Sequence, residues 1–303
     1  MKFIYRIVFC SVMFVVSPTH ANAVLLIEST TQDLAAIASA VGGQYVKSSS
    51  LTMGTRDPHF AVAKPSMIRR VHKADLLLLV GADLEIGWLP LLLKSARNPQ
   101  VQPGNPGYLD LSEAVTLTGV STVGITRDMG DVHEKGNPHY WLDPRNGIKI
   151  ANAIAKQLSK LAPEQAEVFQ SNAVAFADVL NAKFIEWKQA LRHLKNKPVI
   201  TYHSSLDYLA AAFEFNIVAQ VEPKPGIAPS AASLSRLIDK IEKNKISLLI
   251  MEPYYERRSS AYLQQQTGIM PVIIPQSVGA QPGIENYADL FDAIIKELKI
   301  GSQ

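Results

Sequence analysis

Three histidines in this chain lie where they could hold a metal ion. His59 sits in Thr55-Arg56-Asp57-Pro58-His59-Phe60. His139 sits in Gly136-Asn137-Pro138-His139-Tyr140-Trp141-Leu142-Asp143-Pro144-Arg145-Asn146, and His203 follows the apolar run Pro198 to Tyr202. Three neutral imidazoles suit a borderline divalent cation, zinc above all, at Zn–N distances of about 2.0 Å. The backbone carrying His139 has little freedom, because Pro138 fixes its own φ and keeps Asn137 out of the helical region. Asp143 can cap a following helix, with Pro144 at its first position, where a missing N–H costs nothing. The plain alternative is a histidine packed under Tyr140 and Trp141; His59 and His203 in comparable places weigh against it. His72 and His193 fall in helical patterns among charged residues and read as solvated. The polar loop 124–137, with Asp128, Asp131, His133 and Glu134, could assist metal capture through His133.

The elements that must position these residues alternate between strand and helix. In the first half, extended runs at Val24 to Glu28, Gln44 to Ser49, Asp75 to Val80 and Tyr108 to Leu111 are separated by helical spacing at Asp33 to Val41, Pro65 to His72 and Glu85 to Ser95. The second half repeats the pattern, with strands near Val199, Ile217, Ile246 and Val272, and helices opening at Ser204, Pro229, Arg257 and Glu285. Such alternation predicts βαβ units and parallel sheets. Between the halves, a helix over Pro144 to Leu161 is followed by Phe169, Ala173, Phe176, Leu180, Phe184, Trp187, Leu191 and Leu194, one apolar stripe at steps of three or four. An uninterrupted helix from Pro163 to Leu194 would be roughly 45 Å long and could serve as a rigid spine between two lobes. Open parallel sheets bind ligands beyond the carboxyl ends of their strands. Two sheets facing each other across a spine would therefore bring His59, His139 and His203 together.

Composition agrees with a well-packed globular protein: 303 residues, 47% apolar and 19% charged. A formal charge of +3 without basic runs gives no signal for nucleic acid. Residues 1–23 read as a signal peptide, with Lys2 and Arg6 before the apolar Ile7 to Val16 and a small-residue cleavage site at Ala21-Asn22-Ala23. Its removal lowers the formal charge to +1 and takes away Cys10, the single cysteine, leaving neither disulfides nor thiolate ligands. An exported, periplasmic protein is expected.

Several motifs, in order, carry a resemblance that spans the mature chain. Asp57-Pro58-His59, Lys64-Pro65-Ser66, Lys73-Ala74-Asp75-Leu76 with Gly81 and Leu84-Glu85, Asn137-Pro138-His139-Tyr140-Trp141-Leu142-Asp143-Pro144, His203 and Glu252-Pro253 together resemble the periplasmic metal receptors of ABC transporters, the ZnuA/TroA-like family. The resemblance implies an α/β fold of two lobes, each a parallel sheet flanked by helices: 24–162 and 196–303, joined by a long spine helix over 163–195. It implies His59, His139 and His203 as ligands of one metal ion buried between the lobes, with no catalytic residues. His203 stands where manganese-type members usually carry Glu, which leans toward Zn2+ rather than Mn2+ or Fe2+. The position of the family's frequent fourth ligand, an Asp, is Gln276 here, so the fourth place falls to water, Gln276, Asp57 or Glu252. The expected partner is an inner-membrane ABC permease with its ATPase, served by a monomer. The alternative is an exported zinc-dependent hydrolase using the same three histidines with Glu252 as general base; against it, the chain contains neither HExxH nor Gly-x-Ser-x-Gly.

Overall fold

The computed structural model describes residues 24–120, 133–224 and 226–302. The expected signal peptide, with Cys10, and the loop acids Asp128 and Asp131 lie outside the described residues.

Among the described residues, eight strands form two parallel sheets. β1 (Leu25–Ser29), β2 (Val46–Ser50), β3 (Leu76–Leu79) and β4 (Tyr108–Asp110) lie in the order β2-β1-β3-β4. β5 (Pro198–Thr201), β6 (Asn216–Gln220), β7 (Leu248–Met251) and β8 (Met270–Ile273) repeat that topology as β6-β5-β7-β8. The helices are α1 (Gln32–Gly42), α2 (Pro65–Lys73), α3 (Leu89–Ala96), α4 (Pro144–Leu161), α5 (Ala166–Ala190), α6 (Asp207–Phe213), α7 (Ala231–Asn244), α8 (Arg258–Thr267) and α9 (Tyr287–Gly301).

The central strands explain the layering. All four residues of β3 and of β7 are buried, as expected for strands of a parallel sheet covered on both faces. Side chains alternate across the pleat. Leu76 and Leu78 of β3, and Leu248 and Ile250 of β7, face one continuous core shared by both lobes with α1, α4, α5, α6 and α9. Leu77 and Leu79 face a separate cluster under α2 and α3, while Leu249 and Met251 face a third under α7 and α8. The two lobes are thus fused along their inner faces.

The spine is shorter than its apolar stripe suggests. α5 is a 25-residue helix, about 37 Å long, with separate 3-10 turns at Pro163–Gln165 and Arg192–Leu194. The chain turns at Ala162-Pro163 on one side; on the other it turns at Asn196, whose φ is 61°. The stripe itself is correctly placed: Phe169, Ala173, Leu180 and Trp187 are buried, and Phe176 and Phe184 are half-buried. One end of α5 binds the first lobe through Asn172, whose Nδ2 donates to the Val41 carbonyl at 2.9 Å, and through Phe169 against Tyr45. The other end binds the second lobe, where Phe184 packs on Phe213 and Trp187 on Phe291. A second link joins the lobes directly: the buried Asp33 of α1 accepts hydrogen bonds from Ser277 Oγ (2.5 Å) and Val278 N (2.9 Å), just after β8.

The helix expected from Glu85 begins at Leu89 instead. The buried Glu85 carboxylate turns back to accept from Thr30 Oγ1, Val80 N and Gly81 N, closing the carboxyl end of β3. Burial pushes its pKa up to about 7.

Trp187 buries all but 3% of its surface and donates to Asp292 Oδ1 at 2.8 Å. Trp187→Ala is expected to lower the unfolding free energy by about 3–5 kcal/mol. Chemical denaturation would measure this; a loss below about 1 kcal/mol would show that the spine is not anchored there.

Candidate metal centre

The three predicted histidines meet. One nitrogen from each of His59, His139 and His203 lies within 4.8 Å of the others. His139 and His203 are buried and His59 is half-buried. Ring centroids stand 5.1 Å (His59–His139), 5.6 Å (His139–His203) and 6.0 Å (His59–His203) apart.

Two of the three are held by the same local device. Asp57 precedes the 3-10 turn Pro58–Phe60, and its Oδ1 accepts from His59 N at 2.9 Å and contacts His59 Nδ1 at 2.6 Å. Asn137 Oδ1 accepts from His139 N at 3.0 Å and contacts His139 Nδ1 at 2.8 Å. An Asx side chain two residues before the histidine therefore holds both its backbone and its ring, and the intervening proline stiffens the approach. The repeated Asx-Pro-His pattern was the available sequence signal for this second role. The third histidine is oriented from a distance: His203 Nδ1 contacts Glu222 Oε2, just after β6, at 2.7 Å. Sequence reasoning missed Glu222, since nothing local marks a partner on the neighbouring strand.

All three acceptors are oxygens, so each Nδ1 carries the hydrogen and each Nε2 keeps its lone pair for a cation. The surrounding aromatics fix the loops. Tyr140 OH donates to the Val80 carbonyl at 2.6 Å, and Trp141 Nε1 donates across the lobes to the Gln276 carbonyl at 3.0 Å. Asn137 also bridges the lobes, donating from Nδ2 to the Ser204 carbonyl at 2.7 Å and to Asp207 Oδ2 at 3.0 Å.

The expected protein candidates for a fourth ligand make hydrogen bonds of their own, and only Glu252 keeps a buried oxygen with no protein partner among the described residues. Asp57 is the orienting partner of His59. Gln276 accepts from Tyr254 OH and donates to Glu252 Oε1 at 3.3 Å. Glu252 is fully buried, with Ser205 Oγ also donating to Oε1 and no protein partner on Oε2 among the described residues. Burial pushes its pKa up to about 7. His133 also approaches His59, with its Nε2 3.1 Å from His59 Nε2 and the rings stacked at 5.2 Å. His72 and His193 are exposed, as expected.

The electrostatics separate the three histidines. Burial, then the neighbouring His59 and His203, hold His139 well below the ordinary imidazole range. Burial lowers His203 too, but the Glu222 hydrogen bond and the carboxylates of Glu252 and Asp57 outweigh it and leave its pKa raised. A metal ligand must be a neutral imidazole, and below its raised pKa His203 carries a proton that an incoming cation has to expel. His139 carries none to lose. Near pH 6, binding should release at least about one proton per Zn2+, and affinity should fall about tenfold per unit drop in pH. Calorimetry in buffers of different ionisation enthalpy measures the release; none, with affinity independent of pH, would contradict this charge distribution.

Comparison with known proteins places the arrangement. The family model for ZnuA, the periplasmic zinc-uptake complex component A, matches residues 27–301. The chain is 26% identical over 250 residues to the zinc-binding lipoprotein AdcA of Streptococcus pneumoniae, covering 80% of this chain and 49% of that protein, so it spans about half that relative's length. It is 25% identical over 253 residues to the manganese ABC transporter substrate-binding lipoprotein PsaA of the same species, covering 81% of this chain and 77% of the relative. A crystal structure of ZnuA shares the fold, with a TM-score of 0.74 at 22% identity over 92% of this chain and 100% of the other. This chain belongs to the ZnuA family.

Proposed function

We propose that the protein captures Zn2+ with His59, His139 and His203 and delivers it, as a monomer, to an inner-membrane ABC permease with its ATPase. Export to the periplasm behind the signal peptide 1–23 is part of this reading; among the described residues no helix is long and apolar enough to cross a membrane. The observation that carries it is the convergence of three imidazoles, each fixed at Nδ1 by an oxygen acceptor. His133 is the proposed fourth ligand. Two nitrogens on a tetrahedral zinc with arms of about 2.0 Å stand about 3.3 Å apart. The 3.1 Å separation of the His59 and His133 Nε2 atoms is close to that edge.

Zinc is favoured over manganese because the converging donors are neutral nitrogens, whereas Mn2+ depends on anionic oxygen. The carboxylates nearby act from behind the ligands: Asp57 and Glu222 through hydrogen bonds, Glu252 through its buried charge. The hydrolase reading has less support. The matched relatives bear the names of binding proteins, and the chain contains neither HExxH nor Gly-x-Ser-x-Gly.

Paired calorimetry of Zn2+ and Mn2+ on the wild type tests the reading, with zinc expected to bind at least about a hundredfold tighter. Equal affinities would overturn the zinc assignment. Among variants, His139→Ala is expected to abolish tight binding. Glu222→Gln, which keeps a hydrogen-bonding side chain but removes the charge behind His203, should weaken zinc by about 10–100-fold. If zinc binds the Glu222→Gln protein as tightly as the wild type, Glu222 does not tune the site.

A further inference from the structure

We propose that a cavity beside the metal centre, between the loop 51–64 and α2, binds a small organic anion with an apolar body, and that its occupancy strengthens metal binding. The cavity measures about 430 Å³, the size of a small-ligand site. Arg56, Lys64 and Arg70 line it against a single acid, Asp57. That acid is already committed, since its Oδ1 holds His59 through both the backbone and the ring.

The three cations are not equivalent. Arg70 is built into the wall: its Nη2 donates to the Ser50 carbonyl at 2.7 Å, and its Nε stands 3.6 Å from Glu28 Oε2. Arg56 and Lys64 are exposed and have no ion pair among the described residues. Two unneutralised cations facing a cavity whose one carboxylate is occupied leave an unmatched positive charge that an anion would balance.

The rest of the lining says what kind of anion. Met53, Phe60 and Val62 are large apolar side chains, 57%, 66% and 73% exposed, and all three belong to the same cavity wall. Inorganic ions gain nothing from covering them. A carboxylate on a hydrocarbon or aromatic body would bury that surface while its head meets Arg56 and Lys64.

Coupling to the metal follows from shared residues. Asp57 is both cavity wall and the partner of His59, and the Phe60 ring lies 6.1 Å from the His59 ring. A ligand that orders this loop fixes His59 in its binding orientation, and its negative charge favours a nearby dication. By linkage, metal and anion must each strengthen the other by the same factor. This coupling rests on the zinc reading; the anion site itself does not.

The test uses the full-length mature protein, metal-free, with benzoate as probe, acetate as the charge-only control and benzyl alcohol as the apolar-only control. Titration followed by NMR or calorimetry should show saturable benzoate binding at about 1 mM, with each control about tenfold weaker. The double variant Arg56→Ala/Lys64→Ala, at exposed positions and checked for folding by circular dichroism, should weaken benzoate at least about tenfold. It should bind zinc normally in benzoate-free buffer. Saturating benzoate should raise zinc affinity by at least about twofold in the wild type and not in the double variant. Benzoate that fails to saturate, that binds the double variant equally, or that is matched by acetate would overturn the site. Benzoate that saturates without moving zinc affinity would overturn the coupling. Failure of the zinc reading looks different: no tight zinc binding in the wild type, with benzoate binding intact.

Discussion

An imidazole can offer a lone pair to a metal from only one ring nitrogen once the other carries its proton toward a fixed acceptor. That constraint organises this protein. Asp57, Asn137 and Glu222 each place an oxygen at the Nδ1 of one histidine, and one nitrogen of each ring lies within 4.8 Å of the others. Each acceptor has a further attachment. Asp57 caps its own turn, Asn137 reaches across to the Ser204 carbonyl beside His203, and Glu222 Oε2 also accepts from Gly226 N at 3.0 Å. The rings are thus set by parts of the backbone that are themselves held.

Holding such a cluster steady requires lobes that do not drift. The inner faces of both sheets share one core, and α5 is fastened to the first lobe by Asn172 and Phe169 and to the second by Trp187 and Phe184. Trp141 reaches Gln276 beyond β8, and Asp33 reaches Ser277 and Val278 in the same segment. The candidate metal centre therefore lies at a seam crossed by several buried hydrogen bonds. Small shifts of the loop carrying His59 fit this frame better than a wide hinge movement.

Much of this was legible because it is local. The unbroken apolar runs of β3 and β7 announce strands buried on both faces, and the stripe from Phe169 to Trp187 names the face of α5 that packs. The rigid Asx-Pro-His turns are written in adjacent residues. What stayed hidden depends on the tertiary fold. Glu222 finds His203 only because β6 lies beside β5. Glu85 stops a helix from starting by bonding back to the end of β3, a choice that periodicity cannot register. Gln276, expected near a ligand position, spends its amide on Tyr254 and Glu252, which approach from the loop after β7.

The central claim is that the cation is held by imidazole nitrogens oriented from behind by oxygens. X-ray absorption at the zinc edge of the zinc-loaded mature protein tests it most directly. The expected spectrum is a shell of nitrogen donors at about 2.0 Å with the multiple scattering of four imidazoles, falling to three in His133→Ala. A shell dominated by oxygen, with scattering from fewer than three imidazoles, would contradict the account.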